Sequence, residues 1–396
     1  MKVGIFTDSY LPGVGGTERA VEGVCKGLTE NGHKVCVACP KYKEEPKDCG
    51  WPVYRAKSIH LGGPNYAAFS SLSYKFKKDL EEFDPDIIHC HTVNDMLYRA
   101  IRLGKKKNVP VVATIHTKFE DCYLNDSKSR IVTYFLMKSM VNRLKKVDII
   151  TAVSHNIERT LREYGVKGEI RVVKNGCAIR PNCKIEKFRN SGSRFLKTQD
   201  DEIIFLSVGR LTKLKNFDLS FKMLANLKKL RPDVKFKFVI AGSGPDEKYL
   251  KKQVSKQGLD NEVIFTGRVS DRLLKAIYAR SDLFLFPSTF DTDGLVVVES
   301  ACNKTPAIVI KGSGASERIT HQHNGLVCED SLEDYIKTIL QVVDNRGCLN
   351  DLAINAYNEL PKTWQEQSLD YIDIYNEMLE RFKNNTKKGK KCAKSR

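Results

Sequence analysis

The stretch VGIFTDSYLPGVGGTERAVEGVCKGLTENGHKVCVAC, residues 3–39, decides the fold of the first half of this chain. An apolar run at 3–6 leads into a glycine-rich turn, and a helical pattern follows over 17–31. Asn31-Gly32 ends that helix, and a second apolar run at 34–39 predicts the next strand. A strand, a helix and a strand in this order predict a βαβ unit with parallel strands.

The same alternation continues through both halves of the chain. Because apolar strands alternating with helices indicate parallel sheets covered on both faces, we expect an α/β protein with two Rossmann-like, doubly wound domains. The domains are predicted at 1–180 and 186–360, facing each other across a cleft, with the polar segment 181–201 as linker. The predicted strands are 3–6, 34–39, 87–91, 111–116, 149–153 and 170–173, then 203–208, 236–241, 263–266, 283–287 and 307–310.

The end of the chain is predicted to return to the first domain. A helical pattern over 364–382 is expected to pack back on that domain. The basic stretch 383–396 contains no acid, and we expect it to be disordered.

The composition favours partners that carry phosphate. The 396 residues have a formal net charge of +18, which suits nucleic acid, an anionic membrane or a phosphate-bearing substrate. No apolar run approaches the ~20 residues that span a bilayer, and Asp8 interrupts the first one, so we expect no secretory signal and a cytoplasmic protein. Cys36 and Cys39 form a lone C-x-x-C among scattered cysteines, so neither a metal nor a cofactor is expected.

A glycine-rich turn follows the first predicted strand. Gly13, Gly15 and Gly16 would let a ligand approach the backbone, and the next helix would offer N–H groups to an anion. The spacing differs from the dinucleotide-binding G-x-G-x-x-G, and Cys39-Pro40-Lys41 stands where a ribose-binding acid is expected. NAD binding is therefore disfavoured, whereas a tight turn without a ligand remains an alternative.

Two cations follow the first strand of the second half. Arg210 and Lys215 lie between the strand predicted at 203–208 and a helix, at the predicted rim of the sheet. A guanidinium grips phosphate by a charge-assisted fork, and an ammonium adds a compact charge. The pair would neutralise a leaving diphosphate, although solvated surface cations are the alternative.

Two acids eight residues apart follow the strand predicted at 283–287. Asp291 would lie in the loop before a helix that begins near Gly294, with Glu299 inside that helix. Ionised carboxylates accept hydrogen bonds from diols, so one acid suits sugar hydroxyls and the other ribose hydroxyls. The alternative is an acid that stabilises a helix N-terminus.

Several motifs follow one another along the chain in a fixed order: GVGGTE, TIHTK, SVGRLTKLKNF, IAGSGPDEKYL, VIFTGRVSDRLLKAIYARSDLFLFPSTFDTDGLVVVESA and GSGASERI. In this order they resemble family 4 of the retaining glycosyltransferases. The resemblance covers nearly the whole chain and implies the GT-B arrangement, in which two Rossmann-like domains hold a nucleotide sugar between them.

The resemblance implies a role for each matching residue. Arg210 and Lys215 would bind the donor diphosphate, and Glu299 would bind the ribose. Asp291 takes the place of the family's first glutamate near the sugar, and His116 would lie beside the reacting carbon, although a histidine at a strand end is also often structural. Further donor contacts are implied for Gly16, Val269 and the backbone of Asp293, Gly294 and Leu295, with Glu317 at a later acidic position.

Asp291 departs from the family pattern because it is one methylene shorter than glutamate. It stays open whether Asp291 or Asp293 contacts the sugar. The resemblance implies front-face transfer with retention and without a metal, because Asp291-Thr292-Asp293 lies where the family uses no ion. The segments HTKFEDCY and FDTDGLVVVESA are similar to the branch that glucosylates diacylglycerol from UDP-glucose. A sugar acceptor in polysaccharide assembly is the alternative.

The segment RIVTYFLMKSMVNRLKK, residues 130–146, mixes apolar residues with cations and has no acid. It predicts a basic amphipathic helix on an anionic membrane, which would place the protein at the inner face of the plasma membrane. An ordinary core-facing helix with a basic outer face is the alternative. A nucleic-acid partner is not expected, because basic and aromatic residues lack the spacing of a known module. A sensor without catalysis is disfavoured by the intact motif residues. The candidate membrane contacts are Arg130, Lys138, Arg143, Lys145 and Lys146.

Overall fold

The computed structural model describes residues 1–13, 15–43, 49–62, 65–68, 73–177, 184–199 and 201–394. The chain forms two compact units, Met1–Gly176 with Lys362–Arg396, and Cys177–Pro361. The sequence places the first border at 180 and 186, where residues 178–183 lie outside the described part of the chain. The second border falls next to the predicted end at 360.

The first unit is built on a seven-stranded parallel sheet. The strands of this sheet are β1 Lys2–Phe6, β2 Lys34–Pro40, β3 Val53–Ala56, β6 Ile87–Cys90, β7 Val111–Ile115, β8 Ile149–Ala152 and β9 Ile170–Val172. Two further strands outside it are β4 Ser58–Gly62 and β5 Asn65–Ala68. The helices are α1 Gly16–Glu30, α2 Tyr74–Phe83, α3 Asp95–Lys107, α4 Phe119–Ser127, α5 Arg130–Leu144 and α6 His155–Glu163. The strand order is β3-β2-β1-β6-β7-β8-β9, and β4 and β5 form a separate antiparallel pair.

Alternate side chains of β1 enter two different cores. Val3 and Ile5 pack in the layer that contains α1, whereas Phe6 packs in the layer that contains α3. A strand that is buried on both faces is apolar at nearly every position, which explains why the sequence predicts this strand so clearly.

The second unit contains a six-stranded parallel sheet in the order β12-β11-β10-β13-β14-β15. Its strands are β10 Ile203–Val208, β11 Phe236–Ala241, β12 Val263–Gly267, β13 Leu283–Phe286, β14 Ala307–Ile310 and β15 Leu326–Cys328. Its helices are α7 Ile185–Leu196, α8 Phe217–Leu230, α9 Glu247–Lys256, α10 Asp271–Arg280, α11 Leu295–Ala301, α12 Leu332–Asp344 and α13 Cys348–Glu359. This is the strand order of a doubly wound Rossmann-like sheet.

The prediction that 181–201 is a linker is wrong for most of that segment, because α7 occupies it. Leu196 is buried in a core of the second unit. A Cβ at Gly192 would lie 2.2 Å from the Ala276 carbonyl oxygen, so the glycine lets α7 pack closely on α10. Polar residues on the outer face hid this helix from the composition.

The last helix, α14 Trp364–Lys394, packs on α1. A Cβ at Gly23 would lie 2.2 Å from the Trp364 ring, and Asn31 Nδ2 donates to Ser368 Oγ at 2.7 Å. The prediction of disorder from 383 is wrong for the backbone through Lys394, because lysine favours helix and no proline interrupts the run. Residues 395–396 lie outside the described part. Among the described residues, no helix combines the length and the apolar character that crossing a bilayer requires.

Candidate active site

The strand order of the second unit reverses between β10 and β13. In open parallel sheets, ligands bind beyond the carboxyl ends of the strands at this point. Arg210 and Lys215 follow β10, and Asp291 follows β13. The fold therefore brings the two predicted halves of the phosphate and sugar site to the same edge.

Lys215 and Asp291 are in direct contact. Lys215 ends a short 3-10 turn, and its Nζ donates to Asp291 Oδ1 at 2.5 Å. The same ammonium lies 5.9 Å from the ring centroid of Phe286. Asp291 Oδ2 is buried without a hydrogen-bond partner among the described residues. The cation predicted for phosphate and the acid predicted for sugar thus form one unit.

Arg210 is exposed, and it makes no ion pair with any residue in the part of the chain that the structure describes. The loop that contains Arg210 is held by a backbone hydrogen bond, in which Leu211 N donates to Ser243 O at 3.1 Å. A Cβ at Gly242 would lie 1.9 Å from the Gly209 carbonyl oxygen, so only glycine allows this approach. Lys213, between the two predicted cations, places its Nζ 4.5 Å from the Tyr249 ring centroid.

Asp293 has a structural partner that the sequence analysis did not predict. The Nε and Nη2 of Arg318 donate to Asp293 Oδ1 at 2.9 and 2.6 Å, and both side chains are buried. The carboxylate therefore joins the loop after β13 to the 3-10 turn Ala315–Arg318, which also contains Glu317. Of the two acids left open by the sequence, Asp291 is the one that contacts Lys215, the cation predicted to bind phosphate.

The start of α11 is fixed by close packing against the loop at 312–316. Gly294 has φ +69°, a conformation that favours glycine, and directly precedes Leu295, the first residue of α11. A Cβ at Gly314 would lie 2.0 Å from the Thr292 carbonyl oxygen. The backbone of Asp293, Gly294 and Leu295 is held at the edge of the sheet by this packing.

Glu299 lies in the second turn of α11 and is only 5% exposed. Tyr278 of α10 donates from its hydroxyl to Glu299 Oε2 at 3.2 Å, and this tyrosine was not singled out from the sequence. Val269, two residues beyond β12, packs partly buried on the core that contains Tyr278. Glu299 and Val269 are thus anchored near the same helix.

Gly16 begins α1, and a Cβ built on it would meet no described atom within 4 Å. Gly15 is different, because its Cβ would lie 2.5 Å from Glu18 Oε2. Glu18 is buried and accepts a hydrogen bond from Ser9 Oγ. The glycine-rich turn therefore folds around Glu18, and Gly16 leaves open space at the helix start.

His116 follows β7 and belongs to a cluster of three buried histidines, the histidine cluster His89, His91 and His116. His116 Nε2 lies 2.9 Å from His91 Nδ1, and the ring centroids of His89 and His91 are 4.1 Å apart. Burial lowers the pKa of His116 to about 4 and the pKa of His89 to about 3, so both are neutral at pH 7. His89 and His91 were not singled out from the sequence, although two histidines spaced by one residue at the end of an apolar strand could have indicated them.

The outer side of α5 carries exposed apolar side chains as well as cations. Ile131, Tyr134 and Phe135 are exposed by 72%, 61% and 62%, so the N-terminal half of the helix is apolar outside as well as basic. Arg143 turns inward, since its guanidinium donates to Val93 O at 2.7 Å, and it leaves the set of cations available to a membrane. A cavity of about 710 Å³ lies along the helix. Its lining includes Leu124, Arg130, Tyr134, Met137, Lys138, Val141 and Lys145.

Comparisons with known proteins cover both units. Residues 14–179 match the family model described as Glycosyltransferase Family 4, and residues 189–359 match the model described as Glycosyl transferases group 1. An alpha-monoglucosyldiacylglycerol synthase of Streptococcus pneumoniae is 30% identical over 319 residues, 78% of this chain and 70% of the relative. The alpha-monoglucosyldiacylglycerol synthase of Acholeplasma laidlawii is 25% identical over 99% of this chain and 100% of its own.

Solved structures show the same fold at lower sequence identity. Anabaena HepE in complex with UDP superimposes with a TM-score of 0.76 at 18% identity, covering 95% of this chain and 100% of that chain. Sucrose-phosphate synthase from Thermosynechococcus elongatus gives 0.78 at 17% identity, covering 96% and 99%. Two Rossmann-like parallel-sheet units of this kind define a GT-B glycosyltransferase, which confirms the predicted fold class. The chain belongs to glycosyltransferase family 4.

Proposed function

We propose that this chain transfers a hexose, glucose in the first instance, from a UDP-sugar to a hydroxyl of diacylglycerol with retention of configuration. The observation that carries the proposal is the pairing of Lys215 with Asp291, beside the exposed Arg210, where the strand order of the second unit reverses. The names of the two relatives support diacylglycerol as acceptor.

In this proposal the second unit binds the donor. Arg210 and Lys215 hold the diphosphate, and Glu299, oriented by Tyr278, accepts hydrogen bonds from the ribose hydroxyls. Val269 lies against the base. The remaining donor contacts are Gly16 and the backbone of Asp293, Gly294 and Leu295.

The chemistry needs charge stabilisation at the leaving group. The bond between the sugar C1 and the UDP oxygen breaks, and a bond from C1 to the acceptor oxygen forms on the same face. The acceptor proton passes to the leaving phosphate. Positioned cations stabilise the negative charge that develops on that phosphate, and we propose that Arg210 and Lys215 do so without a metal.

His116 is proposed to contact the transferred sugar. Because burial lowers the pKa of its ring to about 4, it meets the sugar as a neutral imidazole. A neutral ring has one donor and one acceptor nitrogen, which suits a hydroxyl.

The acceptor is proposed to arrive from an anionic membrane at the cytoplasmic face. Ile131, Tyr134 and Phe135 form an apolar outer surface on α5, and Arg130 and Lys138 flank it. Apolar side chains entering the headgroup region and cations attracted to anionic lipid act together at such a surface.

The proposal is tested with labelled UDP-glucose offered to diacylglycerol in phosphatidylglycerol vesicles and, separately, to soluble oligosaccharides. We expect a labelled glycolipid, and the same yield in the presence of EDTA. Transfer to an oligosaccharide but never to diacylglycerol would replace the acceptor and retain the donor site. Absence of transfer to every acceptor would refute the proposed activity.

A further inference from the structure

His91 is a buried histidine that the proposed reaction does not use directly. It is 2% exposed, so a bound substrate cannot touch it. Its Nδ1 lies 2.9 Å from His116 Nε2, and the two ring planes are inclined by 23° with centroids 5.2 Å apart. Its only close polar contact among the described side chains is therefore the residue proposed to meet the sugar.

The proton count of the two rings fixes the direction of this hydrogen bond. Each neutral imidazole carries one N–H, so one ring donates and the other accepts. If His116 donated, His91 would carry its proton on Nε2, which is buried and has no partner among the described residues. A buried donor without an acceptor is rarer than an under-satisfied acceptor. The favoured arrangement has His91 donating from Nδ1, which places the proton of His116 on Nδ1.

The rest of the first unit holds the His91 ring in place. The His89 ring packs against it, with ring centroids 4.1 Å apart and the ring planes inclined by 36°. His89 is itself fixed on both sides, by Tyr375 Oη of α14 at 2.6 Å from Nδ1 and by Thr114 Oγ1 at 2.6 Å from Nε2. His91 and His116 directly follow the neighbouring strands β6 and β7, so the pairing of these strands brings the two residues together.

We propose that His91 is a positioning residue, which donates its Nδ1 proton to His116 Nε2 and thereby fixes the orientation and the tautomer in which His116 meets the transferred sugar. The inference rests on the proposed function. In this arrangement Nε2 of His116 faces His91 and is held away from the substrate, and the opposite edge of the ring is presented to the substrate.

Three substitutions at position 91 separate this role from simple packing. His91→Phe keeps an aromatic ring that packs against His89 but removes both nitrogens. His91→Asn puts an amide near the place of Nδ1, whereas His91→Gln puts it near the place of Nε2. We expect His91→Phe and His91→Gln to lower kcat by about 10- to 100-fold, because small displacements of a substrate-contacting group cost this much. His91→Asn should recover most of the loss.

KM for UDP-glucose should stay within about twofold in all three variants, because the proposed donor contacts belong largely to the second unit. His155→Asn, an exposed histidine of the same unit, is the matched control and should leave both constants unchanged. Wild-type kcat in His91→Phe would overturn the proposal, as would equal rates for the Asn and Gln variants.

Imidazole ¹⁵N NMR tests the hydrogen bond without any enzyme assay. In the wild-type chain, His116 should show one neutral tautomer with the proton on Nδ1, and in His91→Phe a mixture of both tautomers. A wild-type His116 protonated on Nε2 would overturn the inference. If the wild-type chain transfers no sugar, the proposed function fails, while the NMR result still decides the role of His91.

Discussion

At the residue scale, the ammonium of Lys215 already has a partner before any donor arrives. Asp291 neutralises it through the 2.5 Å contact, so in the proposed function an incoming diphosphate would compete with a carboxylate for the same cation. Displacing that carboxylate would free Asp291 to accept hydrogen bonds from sugar hydroxyls. One residue pair would thus couple phosphate binding to sugar binding.

Asp291→Asn tests this exchange. Because the amide removes a negative charge beside the phosphate site, UDP should bind as tightly as before or up to about tenfold more tightly. Transfer should nevertheless fall, since the acceptor for the sugar hydroxyls is weakened. Calorimetric titration with UDP and an initial-rate assay give the two values, and weaker UDP binding in the variant would contradict the exchange.

Lys215→Ala should lower kcat/KM by about 10²- to 10³-fold, because it removes a cation from the developing charge of the leaving group. Lys213→Ala is the matched control, as Lys213 lies over the Tyr249 ring and should change the rate by less than about twofold. Initial rates with saturating acceptor measure both. Equal rates in the two variants would show that the phosphate site is misplaced.

The sequence predicted which residue types form the candidate site but not their contacts. Arg210, Lys215 and Glu299 follow from motif order. The contact between Lys215 and Asp291 joins residues 76 positions apart, which only the pairing of β10 with β13 brings together. His91 was missed because nothing local shows that β6 and β7 are neighbours.

At the element scale, the loop at 312–316 packs closely against the loop that carries Asp291. Gly314→Ala would place a Cβ 2.0 Å from the Thr292 carbonyl oxygen and displace the loop that carries Asp291. We expect a loss of about 1–3 kcal/mol in stability and weaker UDP binding. Gly347→Ala is the control, since the nearest atom to its Cβ is 3.5 Å away and its φ is −59°. Thermal unfolding and UDP titration compare them, and identical behaviour would contradict the packing argument.

Helix α5 should be the element that enters the membrane. The double variant Tyr134→Ser with Phe135→Ser removes two exposed aromatic rings, and we expect binding to phosphatidylglycerol vesicles to fall at least about tenfold. Leu230→Ser removes an apolar side chain that is equally exposed on the second unit, and it should bind as wild type does. Vesicle sedimentation provides the measurement. A wild-type result for the double variant would remove α5 from the membrane proposal.

The elements that the sequence predicted well are those buried on both faces. The runs at 203–208, 236–241 and 307–310 coincide with β10, β11 and β14. Helix α7 was missed because polar and charged residues dominate its segment, and its packing on α10 depends on the close approach at Gly192. The extension of α14 to Lys394 was missed because the run after 383 was interpreted as solvated from its charge, although lysine has a high helix propensity.

At the scale of the whole molecule, the alternation of strands and helices predicted two doubly wound domains. The strand orders cannot be obtained from that alternation, because it contains no information on which strands pair. In both sheets the strand order reverses beside the first strand of the unit, between β1 and β6 in the first sheet and between β10 and β13 in the second. The predicted site residues Gly16, His116, Arg210, Lys215 and Asp291 lie beyond strands at or next to these reversals, whereas Val269 lies beyond β12, two strands away.

The buried histidines make the first unit sensitive to acid. The pKa values of His89 and His116 are about 3 and 4 in the folded state, against about 6.5 when unfolded. Between those values the unfolded chain binds protons that the folded chain excludes. Their contribution is complete above pH 6.5, and below it the free energy of unfolding should fall by about 1.4 kcal/mol per pH unit for each histidine.

Tryptophan fluorescence isolates this effect, because Trp51 and Trp364, the two tryptophans of the chain, belong to the first unit. In urea unfolding at pH 7.5, 6.5 and 5.5, wild type and His116→Asn should differ little between pH 7.5 and 6.5. Between pH 6.5 and 5.5 the free energy of unfolding should fall by about 1 kcal/mol less in His116→Asn than in wild type. His155 is exposed, so the free energy of unfolding of His155→Asn should keep more of the wild-type pH dependence than that of His116→Asn. The same slope in wild type and His116→Asn would contradict the buried neutral histidine.

The central claim is that the chain transfers a hexose from a UDP-sugar with retention. The most direct test is the proton NMR spectrum of the product formed from UDP-α-glucose and diacylglycerol in anionic vesicles, in the presence of EDTA. We expect the product to show an anomeric proton with the small coupling constant of an α-glucoside. A β-glucoside, or no product under conditions in which UDP binds, would contradict it.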